Sequence, residues 1–104
     1  MKIYISGKIS GTTDYKERFE KARQQIIQKG HEAVNPCDLD AILNPLTTTW
    51  EQYVTADLGL LRACDGVLFL ADWGNSNGAR IEHREAVRIQ KKIFYKIDDI
   101  EPNN

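Results

Sequence analysis

The chain has 104 residues, 41% hydrophobic and 28% charged, which fits one globular domain over 1–104 with apolar mass for a single core. Fourteen basic against fifteen acidic residues leave a net charge of -1, and Lys and Arg form no cluster, so nucleic acid and anionic membranes are excluded as expected partners. The apolar run in MKIYISGKISG is too short and polar for a signal peptide, and no stretch approaches the roughly 20 apolar residues of a membrane span, so a soluble, cytoplasmic protein is expected. Cys37 and Cys64 form no CxxC pair, and His31 and His83 are equally isolated. Reduced thiols, no metal and no organic cofactor are therefore expected.

In chain order, KIYIS (2–6) is a β-branched run ended by Gly7, which predicts a first strand feeding the loop GKISGTT. Asp14 followed by Glu17 has the form of a capping box. The helix it opens carries Tyr15, Phe19, Ala22 and Ile26 on one stripe before Lys29 and Gly30 close it. HEAVNP (31–36) predicts a short second strand stopped by Pro36. Cys37 to Thr48, with Pro45 and a run of threonines, predicts a loop with room for one helical turn. Thr49 with Gln52 is a second capping box, opening a helix to about Ala63. The continuous apolar run VLFLA (67–71) predicts a parallel strand buried on both faces. The loop DWGN then leads to a helix at about 77–91, KIFYKI (92–97) predicts the last strand, and IEPNN a frayed tail.

This alternation of strands and helices predicts a parallel sheet with helices on both faces. Right-handed crossovers restrict the strand order to 2-1-3-4, a small flavodoxin-like or Rossmann-like α/β layout. Ligands of such sheets bind beyond the carboxyl ends of the strands where the order reverses, here between the first and third. The loops GKISG and DWGNS lie there.

Two carboxylates fall on apolar helix faces. On a helical wheel of the predicted 77–91 helix, Ala79, Ala86, Ile89 and Val87 share the arc that faces the sheet, and Glu82 falls inside that arc, between Ile89 and Ala86. Arg84, Glu85 and Arg88 sort to the opposite, solvent side, with Ile81 among them as a candidate subunit contact. On the preceding helix Asp57 lies amid Tyr53, Val54, Leu60, Leu61 and Cys64. A carboxylate on such a face is costly unless partnered, and desolvation raises its pKa. Each could be a structural acid, Asp57 pairing with Arg62 and Glu82 with Arg80 or His83. Both meeting at one crevice point to function instead.

Around them, Ser76 predicts an N-cap, and Gly78 would let an anion approach the free N–H groups of that helix start, although an ordinary capped helix reads the same. Tyr4 reads as core or, near a strand end, as a hydroxyl aimed at a ligand. GKISG carries neither the P-loop nor the G-x-G-x-x-G fingerprint, so nucleoside triphosphates and dinucleotides are not expected.

Taken together, YISGKISG, D-L-G-L-L-R-A-C-D-G-V and S-N-G-A-R-I-E-H-R-E-A resemble the nucleoside 2-deoxyribosyltransferase superfamily, including its 2'-deoxynucleoside 5'-phosphate N-hydrolases, nearest to a smaller bacterial and phage branch with the same G-A-R-x-E-H helix. The resemblance implies that Glu82 is the nucleophile, Asp57 its partner acid, Tyr4 a hydroxyl near the sugar, and Ser76 with Gly78 the phosphate or sugar contact. It also implies that Gly7 and Ile9 belong to the loop lining sugar and phosphate. The family's hydrolases carry an arginine where this chain has Ser10, so the phosphate charge is left to Lys8, to Arg80 or unmet. The chain also ends soon after its fourth strand, without the segment that in relatives reaches a neighbouring subunit's site.

The resulting expectation is a homodimeric, cofactor-free enzyme that cleaves or transfers the N-glycosidic bond of a small-molecule 2'-deoxynucleoside or its 5'-monophosphate. The alternatives are a nucleotide-binding module of the same fold without turnover, and an interaction domain.

Overall fold

The computed structural model describes residues 1–103. Strict alternation in β1 (Lys2–Ser6) sends Ile3 and Ile5 to one side of the sheet and Tyr4 and Ser6 to the other. The chain continues through α1 (Tyr15–Gln28), β2 (Glu32–Val34), α2 (Trp50–Arg62), β3 (Gly66–Phe69), α3 (Asn77–Arg88) and β4 (Lys92–Phe94). Single 3₁₀ segments lie at Pro36–Ala41, Trp73–Asn75 and Ile97–Asp99. All strand pairs are parallel and the order is β2-β1-β3-β4, as the crossover rule predicts.

The two faces bury separate halves of the core. Ile3, Ile5 and Leu68 pack with Phe19, Ala22 and Ile26 of α1. Tyr4, Val67 and Phe69 pack with Leu61, Cys64 and Ala86 beneath α2 and α3. Ser6 shares the second face and is 1% exposed, so the last side chain of the central strand is a buried hydroxyl beneath α3. Among the described residues no helix is long and apolar enough to cross a membrane.

Several local expectations are corrected. The Thr49–Gln52 capping box forms on α2 with both reciprocal hydrogen bonds, whereas Asp14 makes no side-chain cap on α1. Its carboxylate instead takes the guanidinium of Arg18, one turn on, at 3.2 Å. The outer strands are shorter than the sequence suggests, β4 stopping at Phe94. Val87 points outward at 54% exposure, and Glu85, expected in solvent, is 8% exposed. Arg62 and Arg88 close over Glu85, each with a contact at 2.6 Å, and hold its carboxyl down to about 2. The half-exposed arginines cover it, so it lies under charged side chains and not within the apolar core.

Through Asn103 the tail is not frayed either; Asn104 lies outside the described residues. Ile100 is fully buried against the α1 face of the sheet. The Lys29 ammonium donates to the carbonyls of Ile97 and Ile100 at 2.9 and 2.7 Å, and the Asn103 amide donates to the Lys29 carbonyl at 2.7 Å. Gly30 permits this return: its φ of +82° is left-handed, and a Cβ there would collide with the Asn103 carbonyl.

Candidate active site

Beyond the carboxyl ends of β1 and β3, the loop 7–10, the start of α3 and the inner face of α2 enclose a cavity of about 560 Å³. The fold explains why it opens there: neighbouring connections leave β1 and β3 toward opposite faces of the sheet, which parts the loops above the two strands. Gly7, Lys8, Ile9, Asp57, Ser76, Gly78 and Glu82 all line this single cavity.

Glu82 projects from the second turn of α3 toward β1 and is 5% exposed. Its Oε1 accepts a hydrogen bond from Ser6 Oγ at 3.2 Å, while its Oε2 is buried without a partner. The Tyr4 hydroxyl lies beside it, likewise buried and unpartnered. That hydroxyl is near enough to ease the carboxylate's charge, yet no well-formed hydrogen bond joins the two. Burial pushes the Glu82 carboxyl up to about 8, helped by the nearby Asp57 charge and opposed by Tyr4 and Ser6. Asp57 is raised to about 7, first by burial and then by the charge of Asp40. The tyrosine itself is driven well above its ordinary value by burial and by the two acids, so it stays a neutral O–H donor.

Among the described residues neither acid has the ion-pair partner that a structural role would give it. Arg62 is committed to Glu85. Arg80 is exposed and does not line the cavity; it donates to the Gly74 carbonyl and to the side chain of Asn77, which does. The His83 ring stacks on Trp73 at 4.2 Å and meets the Tyr95 hydroxyl at 2.8 Å. Tyr4 is fully buried behind Glu82 and reaches the cavity only through it.

At the start of α3, Ser76 accepts from the Ala79 amide at 3.1 Å, which fixes the first turn against the cavity. A Cβ at Gly78 would meet nothing closer than Ser76 Oγ at 3.9 Å, so protein packing does not demand glycine there and the room belongs to the cavity. Gly7 is different, because a Cβ would press on the Leu70 side chain at 3.1 Å.

Sequence reasoning missed Ser6, which lies behind the wall and holds Glu82, and several residues that line the cavity. Ser6 was legible in principle, since period-two alternation puts it on the face of Tyr4. Lys16, Cys37 and Asp40 come from α1 and the first 3₁₀ segment, expected to be no more than scaffold and loop. Trp50, 48% exposed, and Tyr53 add an aromatic wall from α2.

The structure is similar to that of a 2-desoxiribosyltransferase from Leishmania mexicana, with a TM-score of 0.66 and 18% sequence identity over 88% of this chain and 61% of that chain. This chain therefore spans less than two thirds of that protein's length, and the likeness is one of α/β fold. Comparison with curated proteins finds no match. Residues 1–95 match the family described as a domain of unknown function (DUF4406), and the chain belongs to that family.

Proposed function

We propose that this protein cleaves or transfers the N-glycosidic bond of a 2'-deoxynucleoside or 2'-deoxynucleoside 5'-monophosphate, with Glu82 as nucleophile and Asp57 as acid. The observation that carries the reading is the free Oε2 of Glu82, buried without a partner in a cavity that Asp57 also lines. The fold it shares with a 2-desoxiribosyltransferase supports it.

Ser6 holds Oε1, which leaves Oε2 to attack the anomeric carbon as oxocarbenium-like charge develops there. The carbon–nitrogen bond breaks, its electron pair leaves with the base, and the Asp57 proton goes to that base. The glycosyl ester on Glu82 is then opened by water or by an N–H nitrogen of a second base, and in either case the proton released by the attacking atom returns to Asp57. Both acids lie above the ordinary carboxylate range, so the pair holds a single proton only in a narrow window near their values of about 7 and 8. The working form carries that proton on Asp57; in the free protein Glu82 holds it more tightly, so in this reading it passes to Asp57 only when substrate binds. Tyr4, always protonated, steadies the carboxylate as it leaves the sugar. Gly7, Ile9, Ser76 and Gly78 contact sugar and phosphate, Lys8 meets the phosphate charge, and Arg80 stays outside the cavity lining. The working assembly in this reading is a homodimer of single-domain chains in the cytoplasm, with Ile81 on the outer face of α3 as a contact.

Chromatography of deoxynucleosides and their monophosphates, with and without an acceptor base, tests the reading. Wild type is expected to release free base, and Glu82→Gln to lose on the order of 10³-fold or more. Release by the variant at the wild-type rate contradicts the assignment. One observation favours a second reading, a binding module without turnover: with its carboxyl at about 8, Glu82 is mostly protonated at neutral pH in the free protein. Under that reading nucleotides raise the melting temperature and no base appears.

A further inference from the structure

Outside the cavity wall, two charged side chains grip both sides of residue 8 in the loop after β1. Arg18 on α1 donates from Nη2 to the Lys8 carbonyl at 2.9 Å, and from Nη1 it meets Asp72 Oδ2 at 2.9 Å. Asp72, in the loop after β3, accepts the Lys8 amide on Oδ1 at 3.3 Å. The guanidinium is completed by Asp14 at 3.2 Å from Nε. Arg18 and Asp72 are both largely covered, with side-chain exposures of 29% and 30%. Their contacts join α1 and both ligand-facing loops at residue 8. Neither residue lines the cavity, so neither can touch what the cavity holds.

Lys8 does line it, half-buried, and among the described residues its ammonium makes no ion pair. The other lysine of the wall, Lys16, lies 3.8 Å from Asp40. An unpaired ammonium on the wall of a cavity that also holds buried acids fits a ligand with a localised negative charge on one end. A 5'-phosphate on a deoxynucleoside provides that charge, and the nucleoside lacks it.

We propose that Arg18 and Asp72 are positioning residues that fix the Lys8 backbone for a substrate's 5'-phosphate, making the 2'-deoxynucleoside 5'-monophosphate the preferred substrate of this site. The inference rests on the glycosidic reading above for its substrate, but not for its binding test. A long lysine side chain loses rotamer entropy when it holds an anion, and a fixed backbone removes the further cost of ordering the loop. Releasing either half of the clamp returns that cost to monophosphate binding and leaves the nucleoside, which does not use Lys8, unaffected.

The test compares wild type, Arg18→Met, Asp72→Ala and the double variant, with 2'-deoxynucleoside 5'-monophosphates of the four common bases and with the matching nucleosides. Each single variant is expected to raise KM for the monophosphate about tenfold with kcat nearly unchanged, and to move nucleoside KM by less than about twofold. The double variant is expected to be no worse than either single one, because both act through one residue's backbone. Equal losses on both substrates, an unchanged monophosphate KM, or multiplying losses in the double variant would overturn the proposal. Where wild type releases no base, calorimetric Kd replaces KM with the same expected ratios; the glycosidic reading then fails while the clamp is still judged. Absence of any monophosphate binding by wild type overturns the clamp too. If the variants do not fold, Asp72→Asn keeps the acceptor for the Lys8 amide and weakens only the Arg18 pair, with an expected rise of about threefold.

Discussion

Glu82 and Glu85 lie one turn apart on the same helix and respond to pH with opposite sign. Glu82 is raised from an ordinary 4.5 to about 8, so between those values the folded protein binds a proton that the unfolded chain has lost. Stability must therefore fall as pH rises through that interval, and Asp57, raised from 3.8 to about 7, adds to the fall. At roughly 1.4 kcal/mol per pKa unit, each acid taken alone contributes on the order of 4 kcal/mol to that fall. Urea denaturation should find wild type less stable at pH 8.5 than at pH 5, and Glu82→Gln should flatten most of that slope and exceed wild type at pH 8.5. A wild-type stability that is level across this range would contradict the burial of the pair. Glu85, held at about 2, works the other way, its stabilisation being present above 4.5 and lost as pH falls toward 2. The wheel found Glu82 because Ala79 and Ala86, its neighbours one turn away on the same face, are apolar. It misplaced Glu85 because the side chains that cover it, Arg62 and Arg88, look solvent-facing until the two helices are packed.

At the scale of the element, the two capping boxes written in the sequence have different fates. Thr49 and Gln52 satisfy each other across the first turn of α2, at 3.1 and 2.8 Å. Asp14 has Arg18 at i+4, and the charged pair wins over the cap. Thr49→Ala should accordingly lower stability by about 1 kcal/mol in urea denaturation, and Asp14→Ala by clearly less. Equal costs would mean that Asp14 caps its helix in solution. Signals confined to one turn, such as the Thr49 cap and the Ser76 cap of α3, were legible because both partners lie within three residues. The tail was not. Ile100 is buried by partners on α1 and the sheet, far earlier in the chain, and nothing in IEPNN announces them.

Across the whole molecule, the crossover rule yields the strand order, the order yields the reversal between β1 and β3, and the reversal fixes where a cavity can open. Seven of the nine residues expected at a site line that cavity, because they come from the loops and helix faces the reversal brings together. Tyr4 stands one layer behind, and Arg80 lies outside the lining, its guanidinium held by the Asn77 side chain and the Gly74 carbonyl. Lys16, Asp40 and the Arg18–Asp72 clamp escape a linear reading, since each depends on which elements meet around the loop after β1. The account as a whole depends on Asp57 and Glu82 facing inward together in poorly solvated surroundings. Carbon-13 NMR of their side-chain carboxyl carbons, followed from pH 3 to 10 in wild type and in each Asn or Gln variant, measures this directly. The account predicts midpoints near 7 and near 8, with the Glu82 midpoint falling when Asp57 is replaced by Asn. Two independent midpoints near 4, each unmoved by loss of the other acid, would contradict it.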